Sequence, residues 1–278
     1  MRAGLLCVAT ISLLALACGP DLPIPGTDET AWTGDEAPAA DEIDSTSQAL
    51  IDCSAPRVDR GGTYFPAITR SMVISNANSY RTFAWTPASG NLAAPGTAGR
   101  RSCGYTMYTS GAFSPGVTAY GFPYKKAGYD SKAVFTTCKT RAHPSGTGLY
   151  LTGTITLTSV ARSCGVLGLD CAGFVGKAFG VGDNEYTTPS FINGACPNYP
   201  VQSITYAKPG DILKRYSSTA TNNHFMIVES KTSTSITYIE EGSVFSSQKD
   251  RVRRTTTSWT DLVNAGFKLC KPNGILEG

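Results

Sequence analysis

The sequence predicts an α+β domain over residues 51–278. Two segments, near residues 68–80 and 171–179, repeat apolar side chains at helical spacing. After the second, short apolar and β-branched runs follow one another between turn residues, with little helical period among them. Helices first and consecutive strands afterwards point to N-terminal helices packed on an antiparallel sheet of about five to six strands. The chain has 278 residues, 41% hydrophobic and 16% charged, enough for a full-sized core, which excludes a fibrous or wholly disordered protein.

At the N-terminus Arg2 precedes an apolar run over 3–17, too short to span a bilayer and of the length of a secretory signal core. Residues 1–17 are therefore expected to be a signal peptide. Ala15-Leu16-Ala17-Cys18 resembles a bacterial lipobox, in which cleavage before the cysteine exposes it to lipid. Cys18 is the expected lipidation site, with the membrane as the anchor's partner. Residues 19–50 hold eight acidic side chains and no Lys or Arg, so 18–50 are expected to form a disordered acidic linker. Without Arg2 and those eight acids, residues 51–278 keep 23 basic and 13 acidic side chains, a formal charge of +10. The basic residues are scattered and read equally as solubilising charge or as a patch for a polyanion. The run Arg251, Arg253, Arg254 is too short to suggest nucleic acid, and a monomer is expected.

In the first periodic segment Ile68, Met72, Val73, Ala77 and Tyr80 share one helical face, with Thr69 available as a cap. Residues 87–121 are dominated by Gly, Pro, Ser and Thr and predict loops and short turns. Cys171, Phe174, Val175, Ala178 and Phe179 form the stripe of the second helix, with Asp170 as N-cap and Gly180 as stop. Pro209-Gly210 then introduces a strand over 211–216, followed by strands at 224–229, 236–241, 251–256 and 267–270.

Nine cysteines are present. Cys7 leaves with the signal, and if Cys18 is lipidated and Cys171 stays free, six remain: Cys53, Cys103, Cys138, Cys164, Cys196 and Cys270. An even number suits disulfides in an oxidising compartment. The pairing expected includes Cys53 with Cys270 and Cys164 with Cys196. No C-x-x-C pair occurs and only two histidines are present, so neither a metal site nor a cofactor is expected.

A thiol in the first turn of a helix meets unpaired N–H groups and the positive end of the helix dipole, both of which favour thiolate. The competing reading of Cys171 is a structural or disulfide-bonded cysteine. A thiol nucleophile needs a base. His143 lies in Arg141-Ala142-His143-Pro144-Ser145-Gly146, a loop-like run, whereas His224 opens the apolar strand Phe225-Met226-Ile227-Val228. An imidazole base also needs an acceptor on its other nitrogen. Glu240 and Glu241 end the next strand, where a hairpin sets them beside His224, but alternation sends them to opposite faces and the turn leaves the register open.

The run Gly168-Leu169-Asp170-Cys171-Ala172-Gly173-Phe174-Val175 resembles the nucleophile signature of the NlpC-like family of papain-like cell-wall cysteine peptidases. Pro209-Gly210-Asp211-Ile212-Leu213 and His224-Phe225-Met226-Ile227-Val228 resemble its later motifs in the same order, and Tyr238-Ile239-Glu240 stands where its third catalytic residue falls. Tyr120-Gly121-Phe122 is similar to a tyrosine-containing segment upstream. The resemblance implies a papain-like NlpC-type fold and a triad of Cys171, His224 and Glu240. It also implies Tyr120 and Asp170 at the substrate cleft, and peptidoglycan stem peptides as substrate. Ala172 replaces the family's usual serine, Glu240 its usual histidine, and the Arg-Asp-Ser motif that recognises a free amine has only Thr187-Thr188-Pro189-Ser190 in its region. The alternatives are an acyltransferase or lipid-directed thiol enzyme on the same fold, and a non-catalytic wall-binding module.

Overall fold

From Ile212 to Cys270 the chain lays down five antiparallel strands: β1 (Ile212–Arg215), β2 (His224–Lys231), β3 (Ser235–Glu241), β4 (Val252–Ser258) and β5 (Lys268–Cys270). Their order in the sheet is β4-β3-β2-β1-β5. The computed structural model describes residues 51–277 except 54–57, 93–105, 108–112, 143–147, 153–154, 157–164, 184, 201, 219–222 and 243–249. The expected signal peptide and acidic linker, together with Cys18, Cys103, His143 and Cys164, lie outside the described residues.

β2 is buried on both faces. Phe225 and Ile227 join Ile212 and Ile239 in one core with the helices, while Met226 and Val228 join Leu213, Tyr238 and Leu269 in a second. This is why 225–228 reads as a continuous apolar run rather than an alternating one.

Among the described residues five helices accompany the sheet: α1 (Arg70–Arg81), α2 (Lys132–Cys138), α3 (Cys171–Ala178), α4 (Pro189–Ala195) and α5 (Trp259–Asn264). Each has a Ser, Thr or Asp cap whose side chain accepts a backbone N–H from the first turn: Thr69, Ser131, Asp170, Thr188 and Ser258. Val73, Ala77 and Tyr80 of α1 are buried as expected. Met72 is not: it is 54% exposed, and Ile68 precedes the helix in a short strand paired in parallel with Ile275. Within 87–121 the described residues include a 3-10 turn at Ser89–Asn91 and the strand Ala119–Tyr120, which pairs with Ala84–Trp85.

The disulfides correct the expected pairing. Cys53 is bonded to Cys138 and Cys196 to Cys270. Cys138 ends α2, a helix the sequence reading did not anticipate, and Arg141 Nη1 and the Tyr150 hydroxyl donate to the carbonyls of Ile51 and Cys53 to hold the incoming chain beside it. Cys196 caps the end of α4, and Asn198 bridges to Cys270, so β5 lies alongside. Cys270 therefore has a nearer partner than Cys53.

The Pro-Gly-Asp run before β1 is a structural joint. Asp211 is fully buried; Oδ1 accepts from Arg70 Nη1 at 2.8 Å, and Oδ2 from the Tyr199 hydroxyl at 2.7 Å and the Lys208 N–H at 2.9 Å. It ties the start of α1 to the entry of the sheet. Among the described residues no helix is long and apolar enough to cross a membrane, and no group of three His, Cys, Asp or Glu is arranged to hold a metal ion.

Candidate active site

The backbone around α3 is fixed before its side chains matter. Residues 123–130 wrap the segment that leads into it: Lys125 N–H donates to Leu169 O at 2.7 Å, Asp170 N–H to Gly128 O at 3.1 Å, and Gly168 N–H to Asp130 Oδ2 at 2.9 Å. The contact is so close that an added Cβ on Gly173 would lie 2.0 Å from Gly128 O. Lys125 and Asp130, both fully buried here, had no distinguishing mark in the sequence, since a polar run such as 124–130 reads as surface. Gly128 and Gly173 were the legible signals of close approach.

Cys171 is the first residue of α3 and a free, partly exposed cysteine. Its thiol donates a long, weak hydrogen bond to the Asn223 carbonyl at 3.9 Å. That carbonyl belongs to the residue just before His224, so α3 brings the sulfur to the entry of β2. Burial is the largest influence on the thiol and raises its pKa; the charge of Asp170 adds to the rise, while backbone N–H groups of Phe225, Ala172 and Cys171 oppose it. The helix-start effect expected from the sequence is present, but desolvation outweighs it in the resting site.

Asp170 caps α3, with Oδ1 accepting from Gly173 N–H at 2.7 Å. Burial pushes its pKa up to about 6, against backbone hydrogen bonds and the charge of Lys125.

His224 and Glu240 are both buried and in direct contact, Nε2 to Oε2 at 3.0 Å; the Thr255 hydroxyl donates to Glu240 Oε1 at 3.1 Å. A carboxylate on Nε2 fixes the tautomer that keeps the proton there and leaves Nδ1 for proton exchange. Glu241 takes no part in this. It is fully buried, both its oxygens lack a hydrogen-bond partner among the described residues, and burial holds its pKa well above the ordinary carboxylate value.

Tyr120 is 64% exposed; it lies opposite Ala84 in a two-stranded ladder, and its carbonyl accepts from Arg251 Nη1 at 3.2 Å. The arginines of the short basic run are ion-paired, Arg251 and Arg253 with Asp250 and Arg254 with Glu229. The fold therefore joins His224 to Glu240 and brings Cys171 to the backbone beside them. No family model, curated protein or solved structure matches this chain.

Proposed function

We propose that the protein is an exported papain-like cysteine hydrolase that cleaves amide bonds in peptidoglycan stem peptides. The observation that carries this reading is the free, partly accessible thiol at the first position of α3, beside the strand whose first residue is an imidazole already oriented by a buried carboxylate. Cys171 attacks the amide carbonyl, and the N–H groups at the helix start stabilise the resulting oxyanion. His224 takes the thiol proton through Nδ1, returns it to the leaving amine, and then activates the water that releases the acyl group. Because burial keeps the resting sulfur protonated, the proton moves during attack rather than beforehand.

Cys18 carries the lipid, and the acidic segment 18–50 gives the domain reach from the cell-envelope membrane. The substrate follows from the ordered resemblance of the sequence motifs around Cys171, Asp211, His224 and Glu240 to wall peptidases.

The test is digestion of purified peptidoglycan by the protein and by Cys171→Ala, with products read by mass spectrometry. Release of stem-peptide fragments is expected from the first only; equal release by both sinks the mechanism.

A further inference from the structure

We propose that the outer edge of β4 docks an extended acidic segment of a partner protein as an added strand, an interaction separate from the candidate active site. β4 is the last strand on its side of the sheet and pairs with β3 without a break from Val252 to Ser258. Its beginning already has a neighbour on the other side: Val252 N–H donates to Phe122 O at 2.9 Å, and Tyr124 N–H to Asp250 O at 2.8 Å. The N–H and C=O of Val252 therefore point away from β3, and by alternation so do those of Arg254 and Thr256. Toward Gly121 the neighbour diverges. Gly121 has φ +92° and donates its N–H to Phe83 O, and Ala119–Tyr120 pairs with Ala84–Trp85 instead. Among the described residues the outward backbone groups of Arg254 and Thr256 are left without a partner.

Free edges are commonly blunted by a proline, a lysine or a bulge. From Arg253 to Ser258 β4 has none of these; it reads Arg-Arg-Thr-Thr-Thr-Ser, with Arg254 and Thr256 exposed. Charge selects the occupant. Arg254 and Arg81, the last residue of α1, share one carboxylate: Arg254 Nη2 and Asn78 Nδ2 both donate to Glu229 Oε1, and Arg81 Nε donates to Asn78 Oδ1 at 2.8 Å. Burial lowers the Arg81 pKa, and the charge of Arg254 lowers it further. Among the described residues neither guanidinium meets another acceptor. One acid between two bases leaves positive charge beside the open edge. A second copy of the chain would bring its own Arg254 and Arg81, and like charges oppose that pairing, whereas an acidic side chain opposite Arg254 completes the cluster.

The probe is a fluorescein-labelled seven-residue peptide of alternating threonine and valine with a central glutamate. Anisotropy with the intact protein is expected to show saturable binding, at least about fivefold tighter than for the peptide with lysine in place of glutamate. Methylation of the glutamate nitrogen and of every second nitrogen from it should abolish binding, and Arg254→Gln should remove the charge preference. Thr256→Pro deletes an outward N–H and spares the bonds to β3, so it should melt near the wild type and lose the peptide. If that variant does not fold, the methylated peptide on the wild type decides. No saturable binding, binding that survives methylation, equal affinity for both peptides, or a folded Thr256→Pro that still binds overturns the proposal. So does a wild-type dimer in sedimentation velocity that Thr256→Pro dissociates, because the occupant would then be a second copy. None of these readouts depends on hydrolysis.

Discussion

His224 meets Glu240 rather than Glu241 because β2 carries one extra residue. Near the turn, Ile236 pairs with Lys231 and Thr237 with Ser230; the next pair is Tyr238 with Val228, and Glu229 is passed over. Beyond this bulge Glu240 lies opposite Met226, which shares a face with His224. Had the first register continued, Glu241 would lie opposite Met226 and Glu240 would turn toward the helices. The carboxylate of Glu229 accepts from Asn78 of α1 and Arg254 of β4, so the bulge is pinned from two elements.

The two glutamates should therefore differ in what they do. Glu240→Ala leaves the imidazole unoriented and is expected to lower kcat/KM on stem peptides by roughly a hundredfold. Glu241→Gln keeps the shape and removes a buried carboxyl that has no hydrogen-bond partner among the described residues. It is expected to keep kcat/KM within about threefold of wild type. Steady-state kinetics of both variants decide the matter, and a larger loss in Glu241→Gln would reverse the assignment.

That bulge also marks the limit of what the sequence discloses. The five strands were legible because apolar runs lie between turn residues, and α3 because its stripe spans two full turns. The helices α2, α4 and α5 have six or seven residues, too few for a 3.6-residue period to emerge. Their caps Ser131, Thr188 and Ser258 were the readable signs. Cys171, His224 and a choice of two glutamates could be found from residue type and order. Choosing between the glutamates required the register, which one unpaired residue shifts. The cysteine partners depended on α2 and on the approach of α4 to β5. Both are long-range facts with no local signature.

Gly173 is held by a close approach rather than by a turn. Its added Cβ would meet the carbonyl oxygen of Gly128, a backbone atom that cannot rotate away. Gly173→Ala must push α3 off the 123–130 wrap, and a loss of about 3 kcal/mol is expected. Gly176→Ala should be milder, since its Cβ meets the side chain of Thr187, at 2.6 Å from Oγ1. Chemical denaturation of both variants checks the ranking; equal losses would mean that the wrap yields.

The two described disulfides close sequence separations of 85 and 74 residues. By loop-closure entropy each constrains the unfolded chain by about 4.5 kcal/mol, an upper estimate. Replacing Cys196 and Cys270 with alanine also removes the link between α4 and β5, next to Lys214, whose ammonium group donates to the Cys196 carbonyl. That double variant should melt well below the wild type, and reductant should lower the melting temperature of the wild type but change this variant less. A reductant-insensitive wild type would contradict both.

Asp170 combines two roles that one substitution can separate. Its carboxyl oxygen caps α3, and its charge sits next to the thiol and raises the pKa of Cys171. Asparagine keeps an acceptor for the Gly173 N–H and removes the charge, so Asp170→Asn should retain the helix start. Because burial raises the folded-state pKa of Asp170 from 3.8 to about 6, the folded protein holds its proton after the unfolded chain has lost it. Stability is then greatest below about pH 4, falls as pH rises toward about 6, and levels beyond. Glu241, also raised by burial, contributes a slope of the same sign, which Asp170→Asn leaves in place. The variant should lose the Asp170 share of this decline. Its thiol should also ionise at lower pH, so that alkylation by iodoacetamide, followed against pH, begins its rise earlier than in the wild type. An unchanged alkylation profile in a variant with normal melting would show that burial alone governs the sulfur.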